Sequence, residues 1–564
     1  MRASSWMLGA ALAAFLGPAA VADATADRAV IEALDRAPRC GPSSEGDSGA
    51  SVADMVKVDG FGDYSLTVDT DSREAQAWFD HGVRLRWAFE HGESVRAFRK
   101  ARLLDPACGL CAWGEAWAMG PNLNGGGGGE ESRLEALATA REARRLARDA
   151  APWQRQMIDA TIQRYSGKEE TRASRFAQRM DRIARRNPGE LLLASVTADA
   201  WMLADHDWWD ADGKAANPGI TRAMGLLEHA LSVDPDDEGA IHLYIHLTEW
   251  SDDPHKAIPY GEKLARLAPG ASHLVHMPSH TFYRVGRYRE AMMSNINAVA
   301  LDHRYNELAR PPGGIQGMPL HGHNIHFGMG GALMSGAGEE GLKLADAFMD
   351  VFAEIPESNL WRQFTANNAY AIYGRFGTPE QVAALEEPPE SQPLLRISRH
   401  YARGEAAARA GDPASVREEA QAIAAIRAAT TFAGPMAENQ DGFTEISQRI
   451  LEGRAAMLEQ NWEAARIAYG RAAEIHGQGE EGGDPPIVWY PTRRSLAAAM
   501  LAGGDAAGAK AKLEELLVDW PNDPYSYWLL AQAERALGDE EAAGVVLQRS
   551  RVEWVGGEMS LALA

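Results

Sequence analysis

Residues 273–300 read HLVHMPSHTFYRVGRYREAMMSNINAVA, and 34 positions earlier residues 239–250 read GAIHLYIHLTEW. In the first stretch Gly286, Tyr288, Ala291 and Ala298 alternate small and bulky residues at helical spacing. Small residues let two helices approach closely, and the aromatic fills the space beside them. The same order recurs at Trp78, Gly82, Phe98, Ala101 and Pro106, and again at Gly453, Trp462, Ala465, Tyr469 and Ala472. Two further units are marked by Gly504, Ala509 and Pro521, then by Leu530 and Gly538. A helix pair of this kind cannot cover its own apolar face and must stack on its neighbours. The 34-residue period is that of the tetratricopeptide repeat (TPR). The prediction is therefore all-α: a right-handed TPR α-solenoid, in two lobes over 72–385 and 394–564, joined by a linker at 386–393 rich in Glu and Pro.

The 564 residues carry 56 Lys and Arg against 79 Asp and Glu, a net charge of -23. Such a field repels nucleic acid and anionic membranes, and leaves small molecules, cations and peptides as partners. Arg2, an apolar stretch at 6–16 and Ala20-Val21-Ala22 match a secretory leader with an A-x-A cleavage site, expected over residues 1–22. The apolar stretch is too short to span a bilayer. Periplasmic or secreted placement follows as an expectation. Residues 23–71 lack a sustained period and are expected to be irregular.

Ten of the sixteen histidines lie between His242 and His326, where even spacing would leave about two or three. His242 and His246 are four apart, as are His276 and His280, so each pair shares one helix face. His276 follows His242 by 34 residues, and His280 follows His246 by 34. Both pairs thus take equivalent positions on the first helices of consecutive repeats, which line the concave face about 8–10 Å apart. His323 and His326 lie beyond a Pro- and Gly-rich insertion at 306–319 and are expected to extend the row. These six are the candidate metal ligands, because neutral imidazole is a ligand for zinc, copper, iron and nickel. Six imidazoles exceed one tetrahedral zinc site, so two ions are expected, with copper ranked slightly above zinc. Glu249, three residues after His246, is the candidate acid/base or an additional ligand. His273 falls off the four-residue face and is expected outside the ligand set. The bland alternative is a polar groove whose histidines hold a peptide.

Three cysteines occur, Cys40, Cys108 and Cys111. Cys108-Gly-Leu-Cys111 opens a helix after Asp105-Pro106; a structural disulfide, pairing these two or involving Cys40, redox exchange and metal ligation all remain open. The glycine run at 125–129 lacks the Gly-Lys-Ser/Thr ending of a phosphate loop. In DPPIVWYPTRR (484–494) the prolines force an extended segment, which makes Trp489 and Arg493 candidate substrate contacts, with a plain inter-repeat connection as the alternative. No Ser-His-Asp elbow, H-E-x-x-H motif or dinucleotide loop is present.

The stretches DPACGLCAWGEAWAMGPNLN (105–124), GAIHLYIHLTEW, HLVHMPSHTFYRVGRY, HNIH (323–326) and DPPIVWYPTRRSL (484–496) together resemble a family of exported bacterial TPR proteins. That family carries His-Met-Pro-Ser-His and His-Asn-x-His motifs, and the resemblance runs from about residue 75 to 535. His242, His246, His276, His280, His323 and His326 match the family's histidines, whereas His321 departs from its pattern. The resemblance implies the fold and the site and carries no activity. From the residues, the expected function is an exported metal-dependent enzyme, oxidative or hydrolytic, acting on a small molecule or peptide in the concave groove. The alternatives are a peptide-binding adaptor of the cell envelope and a non-catalytic copper- or zinc-binding protein.

Overall fold

The computed structural model describes residues 51–125, 129–351, 359–434, 436–478 and 485–564. The expected leader (1–22), the first part of the irregular segment (23–50), Cys40 and the middle of the glycine run lie outside the described residues. Among the described residues the regular structure is helical, with two isolated bridges, Asn122 to Gly125 and Trp209 to Ala215.

The first half contains α1 (Arg73–Trp87), α2 (His91–Leu104), α3 (Gly109–Ala118), α4 (Glu130–Leu146), α5 (Pro152–Tyr165), α6 (Glu169–Arg186), α7 (Leu191–Ala204) and α8 (Pro218–Val233). The middle holds α9 (Glu238–Thr248), α10 (Ile258–Leu267), α11 (Ser272–His276), α12 (Pro278–Arg284), α13 (Tyr288–Ala309), α14 (His321–Ser335), α15 (Gly338–Val351) and α16 (Leu360–Phe376). After the short α17 (Pro379–Ala383) come α18 (Pro393–Arg409), α19 (Pro413–Ala429), α20 (Ala437–Leu458) and α21 (Trp462–Gln478). The chain closes with α22 (Arg493–Ala502), α23 (Ala506–Asp519), α24 (Pro524–Ala536) and α25 (Glu540–Glu553). Each long helix packs on its successor, the nearest-neighbour stacking of a TPR α-solenoid.

The repeat pattern has a direct packing cause. A Cβ added at Gly82 of α1 would lie 2.9 Å from Phe98 of α2, and one at Gly453 of α20 would collide with Tyr469 of α21. Glycine in the first helix makes the recess that the aromatic of the second helix fills. α9 starts at Glu238 and α11 at Ser272, 34 positions on, which is the offset of the histidine pairs. α11 and α12 form one helical rod interrupted at Met277-Pro278, because Pro278 has no N–H to give the preceding turn. α16 packs directly on α18, on either side of residues 386–393, and the described residues form one compact unit. Within it the last repeats return to the middle ones: the Tyr288 hydroxyl donates to Pro521 O (3.1 Å), and Val555 N donates to Ser335 O (3.0 Å). No helix among the described residues is long and apolar enough to cross a membrane.

Cys108 and Cys111 are joined in a disulfide at the start of α3, and both are buried. Burial leaves the pair no access to an external thiol, which favours the structural reading over exchange.

Two histidines far from the dense cluster predict how stability depends on pH. Burial lowers His81 to about 4, with Arg84 and Lys57 acting in the same direction. Burial lowers His476 to about 4 as well, aided by Arg493. Both stay neutral in the fold at pH values where the unfolded chain, with a histidine pKa near 6.5, is protonated. Their contribution is complete above pH 6.5 and is lost as pH falls from there toward 4, at up to about 1.4 kcal/mol per pH unit for each. Urea midpoints at pH 7 and pH 5 should differ accordingly. A His81→Gln/His476→Gln chain should show a smaller difference, and an unchanged one rejects the assignment.

Candidate metal centre

Five elements converge on the histidine row. α9 supplies His242 and His246, α11 supplies His273 and His276, α12 supplies His280, and α14 supplies His323. The turn after α1 supplies Phe89. Ligand-capable atoms lie within 4.8 Å of one another in three groups: His242, His246 and His273; His273, His276 and His323; and His246, Glu249 and His280. Shorter contacts organise the far end of the row. The Nε2 atom of His276 lies 2.9 Å from Nε2 of His280 and 3.1 Å from Nε2 of His323. Two ends of the row can be told apart, His242/His246/His273 and His276 with its neighbours His280 and His323, while His273 and His246 also belong to groups that overlap the far end. They abut where His273 stacks on His276, with ring centroids 5.2 Å apart.

Hydrogen bonds behind the rings fix which nitrogen faces the centre. His276 Nδ1 lies 2.6 Å from Asn295 Oδ1, and Asn295 Nδ2 donates to Ala291 O (2.7 Å), so the amide presents its oxygen to the ring. His276 must therefore carry its proton on Nδ1. His280 Nδ1 donates to Glu249 Oε2 (3.0 Å), and His242 Nδ1 donates to Trp87 O (2.5 Å). In all three the Nε2 lone pair points inward. A ring N–H held by a carboxylate or carbonyl is the usual support of a metal-ligating imidazole. Nε2 of His242 and both nitrogens of His273 are buried with no hydrogen-bond partner.

Burial lowers His242 to about 3, partly offset by its bond to Trp87. Burial and neighbouring imidazoles hold His273 and His276 well below the usual range. These three rings are thus neutral at pH 7, the form that binds metal.

Each set has an aromatic wall. Phe89 lies 4.2 Å from His242 and stacks on His246 and His273 at 5.6 and 5.4 Å, centroid to centroid. Phe327 of α14 lies 4.8, 4.4 and 5.0 Å from His276, His280 and His323. Phe89 has φ of 58°, a left-handed conformation that is costly for a bulky residue. Backbone strain of this kind persists only where surrounding contacts enforce it, and here it places the ring over three imidazoles.

Not every expected residue joins the row. His326 turns toward the following repeat, where its Nε2 accepts from Asn368 Nδ2 (3.1 Å). A first helix of a solenoid has neighbours on both sides, and His326 faces the opposite one from His323. His273 takes a place in the row instead. It precedes His276 by three residues, and three-residue spacing shares a helix face as well as four does. His321 Nδ1 donates to Asp302 Oδ2 (2.9 Å), outside the row. Glu249 stands behind His280 with Arg284 Nε 3.9 Å from its other oxygen, the place of a group that orients a ring. Trp489 is buried beneath Arg375 and Arg494, and Arg493 pairs with Asp519 (2.7 Å) and Glu515 (3.5 Å) on α23.

The fold and the site define a class: a TPR α-solenoid with a buried histidine row across three successive repeats. No family model and no curated protein matches the sequence. Solved structures of similar fold include the human IFIT1 dimer with m7Gppp-AAAA, at 14% identity and a TM-score of 0.29, covering 86% of this chain and 91% of that one. The P58(IPK) TPR domain has 11% identity and a TM-score of 0.23, with coverage of 83% and 99%. Yeast Tom70 has 11% identity and a TM-score of 0.28, with 86% of each chain covered. At these values the likeness carries no argument about ligand or activity.

Proposed function

We propose that the histidine row is a two-ion transition-metal centre and that the protein is a metal-dependent enzyme. One observation carries the reading: inward Nε2 lone pairs of His276 and His280 face each other at 2.9 Å, with His323 Nε2 at 3.1 Å. Two acceptors at that distance repel, and burial with neighbouring imidazoles holds His276 neutral. A shared cation removes the conflict. Two metal–nitrogen bonds of about 2.0–2.1 Å meeting at roughly 90–100° span such distances. The second set, His242, His246 and His273, offers the same donor number. Three imidazoles leave a further position at each ion, and an ion so held supplies Lewis-acid or redox chemistry. His323 is the half-buried member of the row, so substrate approaches from its side. Copper and zinc suit all-imidazole sets, and the buried disulfide fits an oxidising, exported setting.

Burial of the other five imidazoles favours a second reading, a carrier that holds its ions without turnover. The deciding experiment is elemental analysis of the full chain after loading with Cu(II) or Zn(II) and desalting, followed by azide titration of the copper form. About two equivalents and an azide-dependent absorption band support the enzyme. Two equivalents without azide response support the carrier, and failure to retain either metal removes both.

A further inference from the structure

A cavity of about 460 Å³ opens among α4, α5, α6 and α7 and takes none of its residues from the histidine row. Its volume lies in the usual range for a small-molecule site. α4 and α6, 17 and 18 residues long, both begin at its edge. Gly129, Glu130 and Arg133 line it from the one, and Glu169, Arg172 and Ala173 from the other. Neither start carries a side-chain cap: Gly129 has no side chain, and the N-cap of α6 is Lys168, a donor. The first-turn N–H groups and the positive dipole ends of both helices are thereby left for water or an anion.

A buried cation sets this place apart from an ordinary pair of helix starts. Arg164 of α5 lines the cavity, is 8% exposed and makes no ion pair among the described residues. Its Nη2 donates to Pro121 O (3.4 Å), its guanidinium lies 4.8 Å from the Phe176 ring, and its Nη1 is buried without a hydrogen-bond partner. Asp199, a buried carboxylate within its electrostatic reach, is taken up by Arg86 at 3.3 Å. Two buried guanidinium groups therefore share one carboxylate, and the surplus charge borders the cavity. A buried charge without its counter-charge is costly. The other two arginines of the wall pair with carboxylates that stand in water. Glu130 and Glu169 are 70% and 87% exposed, whereas their partners Arg133 and Arg172 are 22% and 17% exposed. Such screened pairs hold little energy. Met119, Phe176, Ala200 and Leu203 make the remaining wall apolar.

We propose that this cavity binds a small organic carboxylate, its charged end held by Arg164 and the two helix starts and its apolar body against Met119, Phe176 and Leu203. A carboxylate gives Arg164 Nη1 the charged acceptor it lacks, and a single negative charge balances the single surplus cation. The apolar wall selects an acid with a hydrocarbon body over an inorganic anion, which would leave that wall in water. Gly120 belongs to the same design: a Cβ there would lie 3.0 Å from Arg164 Cζ and 2.9 Å from the Tyr165 hydroxyl, so only glycine lets the guanidinium lie where it does. The site does not depend on the metal reading of the histidine row.

The test titrates phenylbutyrate into the full chain by isothermal calorimetry, with its neutral amide, phenylbutanamide, as the comparison. Saturable binding of the acid is expected, weakened at least about tenfold for the amide. Arg164→Gln should weaken the acid similarly. Ala173→Trp, at an exposed position of the wall, should abolish binding while leaving the circular dichroism melt unchanged. Equal affinity for acid and amide overturns the proposal. So does acid binding that survives Ala173→Trp, which places the ligand elsewhere, the histidine row included. Absence of saturable binding by both phenylbutyrate and octanoate at millimolar concentration overturns it as well. The amide comparison alters no residue, so it decides even if Arg164→Gln does not fold.

Discussion

His276→Ala is expected to release the ion held by His276, His280 and His323 and to halve the metal content of the loaded chain. His276 is the hub of its set, since both short Nε2 contacts run through it. Its support gives a graded companion. Asn295→Ala removes the acceptor that keeps the proton on Nδ1, and loss of such an outer partner lowers metal affinity by about 10–100-fold. Competition with a chromophoric chelator measures both. A His276→Ala chain that keeps two ions at unchanged affinity rejects the assignment of this set. An Asn295→Ala chain with unchanged affinity shows that tautomer control is not what the amide provides.

The second large effect lies beside the site. Arg86 of α1 and Asp199 of α7 are both fully buried, with Arg86 Nη2 donating to Asp199 Oδ2 at 3.3 Å and the guanidinium lying 4.9 Å from the Trp117 ring. Burial lowers Arg86 to about 10 even with Asp199 beside it. Asp199→Ala leaves that cation buried without its partner, which costs about 3–5 kcal/mol. Arg86→Met/Asp199→Leu should recover most of the loss, because apolar replacement of a buried pair is often neutral. Urea unfolding of the two chains makes the comparison. A single-variant loss below about 1 kcal/mol would mean that the pair is hydrated. Arg86 precedes Trp87, whose carbonyl holds His242, so Asp199→Ala is also expected to weaken metal binding at the first set.

The repeat architecture was legible because its cause is local: Gly82 and Gly453 face Phe98 and Tyr469 within single helix pairs. The histidine pairs were legible because α9 and α11 occupy equivalent positions 34 residues apart. Four-residue spacing does not mark His273, which shares the face of His276 through the equally good three-residue spacing. Spacing groups His326 with the row as well, since it cannot say which of two flanking helices a side chain faces. Phe89 had no signal at all, since its position over the rings depends on a left-handed turn between α1 and α2, and it meets His242 across more than 150 residues.

The distribution of ligands over the repeats has a mechanical consequence. A stacked array holds together through coupling between adjacent units, and its weakest interface sets where it comes apart. His242 and His246 belong to one repeat, His273, His276 and His280 to the next, and His323 to the third. One ion would therefore rivet the first interface and the other the second. Each rivet adds its binding free energy to the cost of parting two neighbours, so the loaded array frays from its ends while the central three repeats open as a single block. Metal content would then be read directly as slowed amide exchange across residues 238–335.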